Sequence, residues 1–265
     1  MYHYVFRFSK GGERMKIKTT GVLIVCFLLS FCASQQQKLE KQKEKDPRYQ
    51  YNLALFHLNN GNLDEAIKYF NKSISLDAQY HLSYNGLGIA YLMKGEFKTA
   101  IDFFQKTLKL NPALTEAHNY MGTAYQELGM LDKAEEEFRT ASSDATYKSR
   151  ELPYYNLARL YFIQDRTKDA LYYVQKSIEA NSRLVMSHNL EGVLYERLDD
   201  FDNAIESYKR GLKLAEDDVN LIFNLAVAYF KNEQYDLARE KFDEIYSSAD
   251  SQMKIQIDDY LKLIK

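Results

Sequence analysis

The sequence has no tryptophan, two cysteines, three prolines and eleven glycines in 265 residues. Each scarcity excludes something. Both cysteines, Cys26 and Cys32, fall in an N-terminal apolar stretch, so the remainder can form neither a disulfide nor a cysteine-ligated zinc site. The few prolines and glycines leave long stretches free of helix breakers. Residues 1–32 hold five basic groups (Arg7, Lys10, Arg14, Lys16 and Lys18) and one acid, Glu13. Residues 33–265 carry 30 basic and 36 acidic groups, a net charge of −6, which argues against nucleic acid as the main partner. There is no Gly-rich phosphate loop and no G-x-S-x-G, and no two histidines stand at metal-ligand spacing. His118 and His188 read as packing residues. The expectation is a chain with no catalytic residue, no metal site and no cofactor.

The first 46 residues do not read as fold. Met15-Lys16-Ile17-Lys18 is basic, and the mostly apolar run Gly21 to Phe31 after it is shorter than the roughly 20 residues that cross a bilayer. Together they read as a secretory signal peptide over 1–32, with the true start expected at Met15. Leu29-Ser30-Phe31-Cys32 resembles the lipobox of bacterial lipoproteins, in which the cysteine is acylated and becomes the mature N-terminus. That motif usually has Gly or Ala where this chain has Phe31. The resemblance implies lipidation of Cys32; a cysteine removed with the signal, or an uncleaved anchor, are the other readings. Residues 33–46 are polar and charged, a flexible tether with almost nothing apolar to bury.

From residue 47 onward the chain repeats itself. Ala66, Ala100, Ala134, Ala170, Ala204 and Ala238 fall 34, 34, 36, 34 and 34 residues apart. Four residues after each stands Phe70, Phe104, Phe138, Val174, Tyr208 or Phe242. Twelve before each stands a small residue: Ala54, Gly88, Gly122, Ala158, Gly192 or Ala226. Nine before stand His57 and then five tyrosines: Tyr91, Tyr125, Tyr161, Tyr195 and Tyr229. Four positions recurring in phase require one repeated unit. Apolar spacing of three and four makes the unit a helical hairpin, in which a small residue on the first helix lets the second approach. Gly61, Gly95 and Gly129 end the first three leading helices, and Pro153 sits at the start of the fourth.

This pattern resembles the tetratricopeptide repeat (TPR). The resemblance implies an all-α, right-handed solenoid of six helix-turn-helix repeats at 47–80, 81–114, 115–148, 151–184, 185–218 and 219–252. Residues 253–265 then form a capping helix, with Ile257, Leu261 and Ile264 on one face. It also implies a concave groove, lined by the second, fifth, sixth, ninth, twelfth and thirteenth positions of each leading helix.

Projected onto this chain, the groove has two rows. One is asparagine: Asn52, Asn85, Asn119, Asn156, Asn189 and Asn224. Such amides could hold an extended peptide backbone, or could bond to each other between adjacent helices as framework. The other is apolar: Tyr51, Leu55, Leu58, Leu82, Ile89, Leu92, Tyr155, Phe162, Ile163, Met186, Val193, Phe223, Val227 and Phe230. Thr123 takes the ninth position of the third repeat. Exposed apolar grooves mark binding sites, and aromatic residues make good anchors. The Lys and Asn arrangement that clamps a C-terminal carboxylate in chaperone-binding members is missing. Glu191 departs from pattern, standing where other repeats have Leu or Met. A half-exposed position is expected for it, a polar contact being the other reading.

The expected function is that of a non-catalytic scaffold in the bacterial cell envelope, lipid-anchored to the outer membrane and facing the periplasm. Its groove would take a peptide or helix of a partner protein. The chain also resembles the pilotin-type lipoproteins of type IV pilus biogenesis, through its repeats behind a lipoprotein-like signal, Ala33 after the cysteine, and the extra residues ahead of Tyr154-Tyr155-Asn156-Leu157-Ala158. That resemblance implies a secretin or pilus subunit as the partner. The alternative is a scaffold or regulatory subunit for cell-wall or polysaccharide assembly enzymes.

Overall fold

The computed structural model describes residues 35–36 and 42–264. Thirteen α-helices run from Pro47 to Leu263, and no strand occurs among the described residues. Twelve form six hairpins: α1 (Pro47–Asn59) with α2 (Leu63–Leu76), α3 (His81–Met93) with α4 (Phe97–Leu110), and α5 (Thr115–Glu127) with α6 (Leu131–Ser143). Then come α7 (Glu151–Ile163) with α8 (Thr167–Ala180), α9 (Val185–Arg197) with α10 (Phe201–Leu212), and α11 (Val219–Lys231) with α12 (Tyr235–Ile245). Helix α13 (Ser251–Leu263) comes last and alone. The odd-numbered helices through α11 are the A helices and their partners the B helices.

The recurring residues hold each hairpin shut. Phe70, Phe104, Phe138, Val174, Tyr208 and Phe242 are all fully buried, as are the alanines four residues before them. Burying one such side chain stabilises by about 1.5–3 kcal/mol. The small A-helix residue makes the space. A Cβ on Gly88 would lie 2.4 Å from the Phe104 ring, and one on Gly192 2.4 Å from the Tyr208 ring. The first repeat has Ala54 in this place, and the Phe70 ring instead lies against Gly86 of the next A helix.

Buried hydroxyls join successive hairpins. Ser73 Oγ donates to the Pro47 carbonyl at 2.8 Å and accepts from Ser83 Oγ at 2.7 Å, so one residue of α2 ties both α1 and α3. Ser177 repeats the device in the fourth repeat, donating to the Glu151 carbonyl and contacting Ser187 Oγ, each at 2.8 Å. Every hydroxyl so placed has a partner, which removes the cost of burying it.

The A-to-B turns place one residue in the left-handed region. In the first three repeats it is Gly61, Gly95 or Gly129, with φ of 74°, 76° and 71°. In the last three it is Asp165, Asp199 or Glu233, with φ of 60°, 57° and 58°. Side chains there are strained relative to glycine.

Glu191 is 5 % exposed, not half-exposed. It accepts from Ser207 Oγ at 2.9 Å and Arg210 Nη2 at 2.6 Å, so the carboxylate is buried but paired. His118 does more than pack, its Nδ1 lying 2.6 Å from Glu137 Oε2.

Helix α13 begins at a side-chain cap, Asp250 accepting from the Met253 backbone N–H at 2.8 Å. It buries Ile257 and Ile264, with Leu261 partly buried. Tyr260 stacks on Phe242 at 5.3 Å and meets Phe230 edge-on at 5.0 Å.

Candidate functional site: the face of the A helices

Because the B helices pack on one side of each A helix, the opposite side of α7, α9 and α11 is left to form a surface. Two adjoining hollows lie there. The smaller, about 290 Å³, is formed by Tyr155, Arg159, Phe162 and Ile163 of α7 with Met186, Asn189, Leu190 and Val193 of α9. The larger, about 670 Å³, is bounded by Val193, Glu196 and Arg197 of α9, Phe223, Asn224, Val227 and Lys231 of α11, Tyr208 of α10, and Gln256, Asp259, Tyr260 and Leu263 of α13. Val193 lines both, so the hollows adjoin there.

The apolar floor is partly open. Ile163 is 55 % exposed and Met186 48 %. Charges in the larger hollow are paired. Glu196 accepts from Tyr208 Oη at 2.5 Å and pairs with Lys231 at 2.7 Å. Burial, reinforced by Glu196, pushes the Tyr208 hydroxyl pKa up. Arg197 lies 3.9 Å over the Phe162 ring, donates to the Phe162 carbonyl at 3.2 Å and pairs with Asp165 at 2.9 Å. One guanidinium thus joins the end of α7 to the end of α9. Burial also raises the Tyr155 pKa, with Arg159 opposing the shift.

Of the expected partner-binding residues, Tyr155, Phe162, Asn189, Val193, Phe223, Asn224 and Val227 come together around these hollows. Val227 is 8 % exposed and forms floor rather than contact surface. Phe230 lies beneath Tyr260 of the chain's own last helix, which takes up the surface expected to be free there. Asn156 Nδ2 donates to Asn119 Oδ1 at 3.0 Å, and Asn224 Nδ2 to Asn189 Oδ1 at 2.8 Å. Four of the six asparagines therefore bond in pairs between adjacent A helices. Asn85 and Asn119 are buried, and Asn52 is exposed.

In the first half of the array, Tyr51 packs on Phe70 and Tyr80, at 5.8 and 5.5 Å between ring centres. Leu55 and Ile89 are partly buried against the first core cluster. Thr123 donates to the Asn119 carbonyl at 3.2 Å. None of these lines either hollow. Cys32 lies outside the described residues.

Sequence reasoning missed Arg197, Lys231, Tyr260 and Leu263. The period held a signal for the last two: 34 residues beyond Val219 is Met253, so α13 comes where a seventh A helix would.

Residues 47–113 and 189–253 each match a family model described as Tetratricopeptide repeat. The chain belongs to the tetratricopeptide-repeat family and has the fold of a protein-interaction scaffold. Among solved structures it is similar to PilF of Pseudomonas aeruginosa, with 17 % identity, TM-score 0.73, and coverage of 82 % of this chain and 98 % of that one. It is likewise similar to PilW, described as a widely conserved type IV pilus biogenesis factor, with 14 % identity, TM-score 0.72, and coverage of 80 % and 98 %. A third similar structure is the APC/C hetero-tetramer Cut9–Hcn1, with 21 % identity and TM-score 0.70. There the match covers 85 % of this chain, which spans 44 % of that one. At these identities the likeness is one of fold. No curated protein matches the sequence significantly.

Proposed function

We propose that this protein is a non-catalytic scaffold whose A-helix groove, over the fourth to sixth repeats, holds an apolar peptide or helix of a partner protein. The observation that carries the reading is the pair of hollows adjoining at Val193, with Ile163 and Met186 exposed beside the smaller one. Apolar side chains left open in a preformed, largely apolar groove gain by being covered. The ion pairs of Lys231 and Arg197 hold the rim in one arrangement, which lowers the ordering cost of binding.

The setting we propose is the bacterial envelope, with a signal peptide over residues 1–32, a lipid on Cys32, a tether over 33–46, and a role in type IV pilus or secretin assembly. Support comes from the lipobox-like residues and from the likeness of fold to PilW and PilF. No helix among the described residues is long and apolar enough to cross a membrane, so anchoring would fall to the N-terminal segment.

The test is capture of partners from detergent-solubilised membranes with wild type, with Ile163→Asp/Met186→Asp, and with Cys32→Ser. The expected result is a pilus or secretin component held by wild type and lost from the double variant, while Cys32→Ser binds it but leaves the membrane. Equal capture by the double variant would rule out the groove, and capture of a cell-wall enzyme would move the setting to cell-wall assembly.

A further inference from the structure

The smaller hollow contains a charge with no counterpart. Arg159 stands at the ninth position of the fourth A helix, where the other repeats have Leu55, Ile89, Thr123, Val193 and Val227. It is partly buried, and its guanidinium lies 5.9 Å over the Tyr155 ring. Among the described residues it has no ion pair and no hydrogen bond, and the hollow is lined by no aspartate or glutamate. The neighbouring cations differ. Arg197 has Asp165, and Lys231 has Glu196.

We propose that the groove selects an apolar segment bearing an Asp or Glu side chain, whose carboxylate Arg159 receives. The inference rests on the groove reading above and names the chemistry of its occupant. A guanidinium held among Tyr155, Phe162 and Met186 loses part of its hydration without gaining an acid. Its planar fork matches a carboxylate in two parallel hydrogen bonds, and these strengthen once water is excluded. The part of the chain after residue 32 is net acidic, so this unpaired cation is a local reversal of sign, and charge complementarity sets both partner and register. With Ile163 and Met186 open beside it, the complementary segment has apolar residues flanking its acid. The hollow offers one free cation, which matches the single charge of a side-chain carboxylate.

The probe is a random peptide library displayed on phage through a C-terminal fusion, so that only side-chain carboxylates are offered. It is panned on the full-length wild-type protein and on the Ile163→Asp, Arg159→Gln and Arg159→Lys variants, each checked for folding by its melting curve. The expected outcome is enrichment of peptides with an acid between apolar residues, bound about tenfold more weakly by Arg159→Gln. Arg159→Lys should retain part of the affinity, keeping the charge without the fork. Peptides lost with Ile163→Asp but showing no preference for acids would overturn the role of Arg159 and leave the groove standing. If nothing is enriched, or binding ignores Ile163→Asp, the groove reading falls and this inference with it.

Discussion

Asn224 reaches from one A helix to the next and donates to Asn189 Oδ1 at 2.8 Å, and Asn156 does the same to Asn119 at 3.0 Å. An asparagine row at these positions suits a ladder for a peptide backbone equally well. The geometry assigns two pairs of it to framework. Replacing Asn119 by alanine leaves the Asn156 amide without its acceptor in a partly buried place. The expected loss is about 1–2 kcal/mol. A double-mutant cycle with Asn156→Ala, read out by chemical denaturation, should show a favourable coupling between the two. Full additivity would return the asparagines to the partner.

The left-handed turn residues divide the array into two halves. Glu233 has a φ of 58° at the place where the third repeat has Gly129 at 71°. Glu233→Gly should therefore stabilise by about 0.5–1 kcal/mol, the strain relieved exceeding the added freedom of the unfolded chain. Gly129→Ala should cost about 1 kcal/mol. Thermal unfolding of the two variants checks the opposite signs.

Glu191 carries a buried carboxylate through the fifth hairpin, with its side chain 7 % exposed beside an Arg210 side chain that is 49 % exposed. Removing Arg210 strands the acid, and because the arginine is half in water the expected cost is about 1–2 kcal/mol, below that of a fully buried pair. Glu191→Leu, restoring the residue type of the other repeats, should be neutral or stabilising by about 1 kcal/mol. Denaturant midpoints measure both, and a large loss on Glu191→Leu would mean the acid holds more than its two visible partners.

The loop between α6 and α7 depends on pH through Asp144. Hydrogen bonds from Thr115 and Thr146 hold its carboxyl at about 2, below the ordinary value of 3.8. A depressed carboxylate contributes stability above its unfolded pKa and loses it as pH falls through its folded one. Between pH 3.8 and about 2 the wild type should lose stability that Asp144→Asn does not. Acid titrations of the melting temperature for the two proteins give the comparison.

The hairpins were legible because the Gly88–Phe104 and Gly192–Tyr208 contacts require a small residue and a bulky one at fixed spacing, and the chain repeats that requirement six times. Asp165, Asp199 and Glu233 were not, since aspartate marks a left-handed backbone far more weakly than glycine does and glutamate does not mark it at all. Glu191 was misread because its partner stands 19 residues away, on the facing helix. The groove residues could be named by position, but position does not tell which ones another side chain covers. Tyr260 over Phe230 and Arg197 over Phe162 depend on how α13 and α9 come to lie.

In the proposed arrangement the partner lies against the A helices. Met186 in the groove is 48 % exposed and Tyr172 on the B helix of the fourth repeat is 55 % exposed, so both are open to solvent to a similar degree. A photo-crosslinking side chain placed at one position or the other in living cells compares the two faces directly. A crosslinked partner is expected from position 186 and none from position 172. A crosslink confined to position 172 would place the partner on the B helices instead.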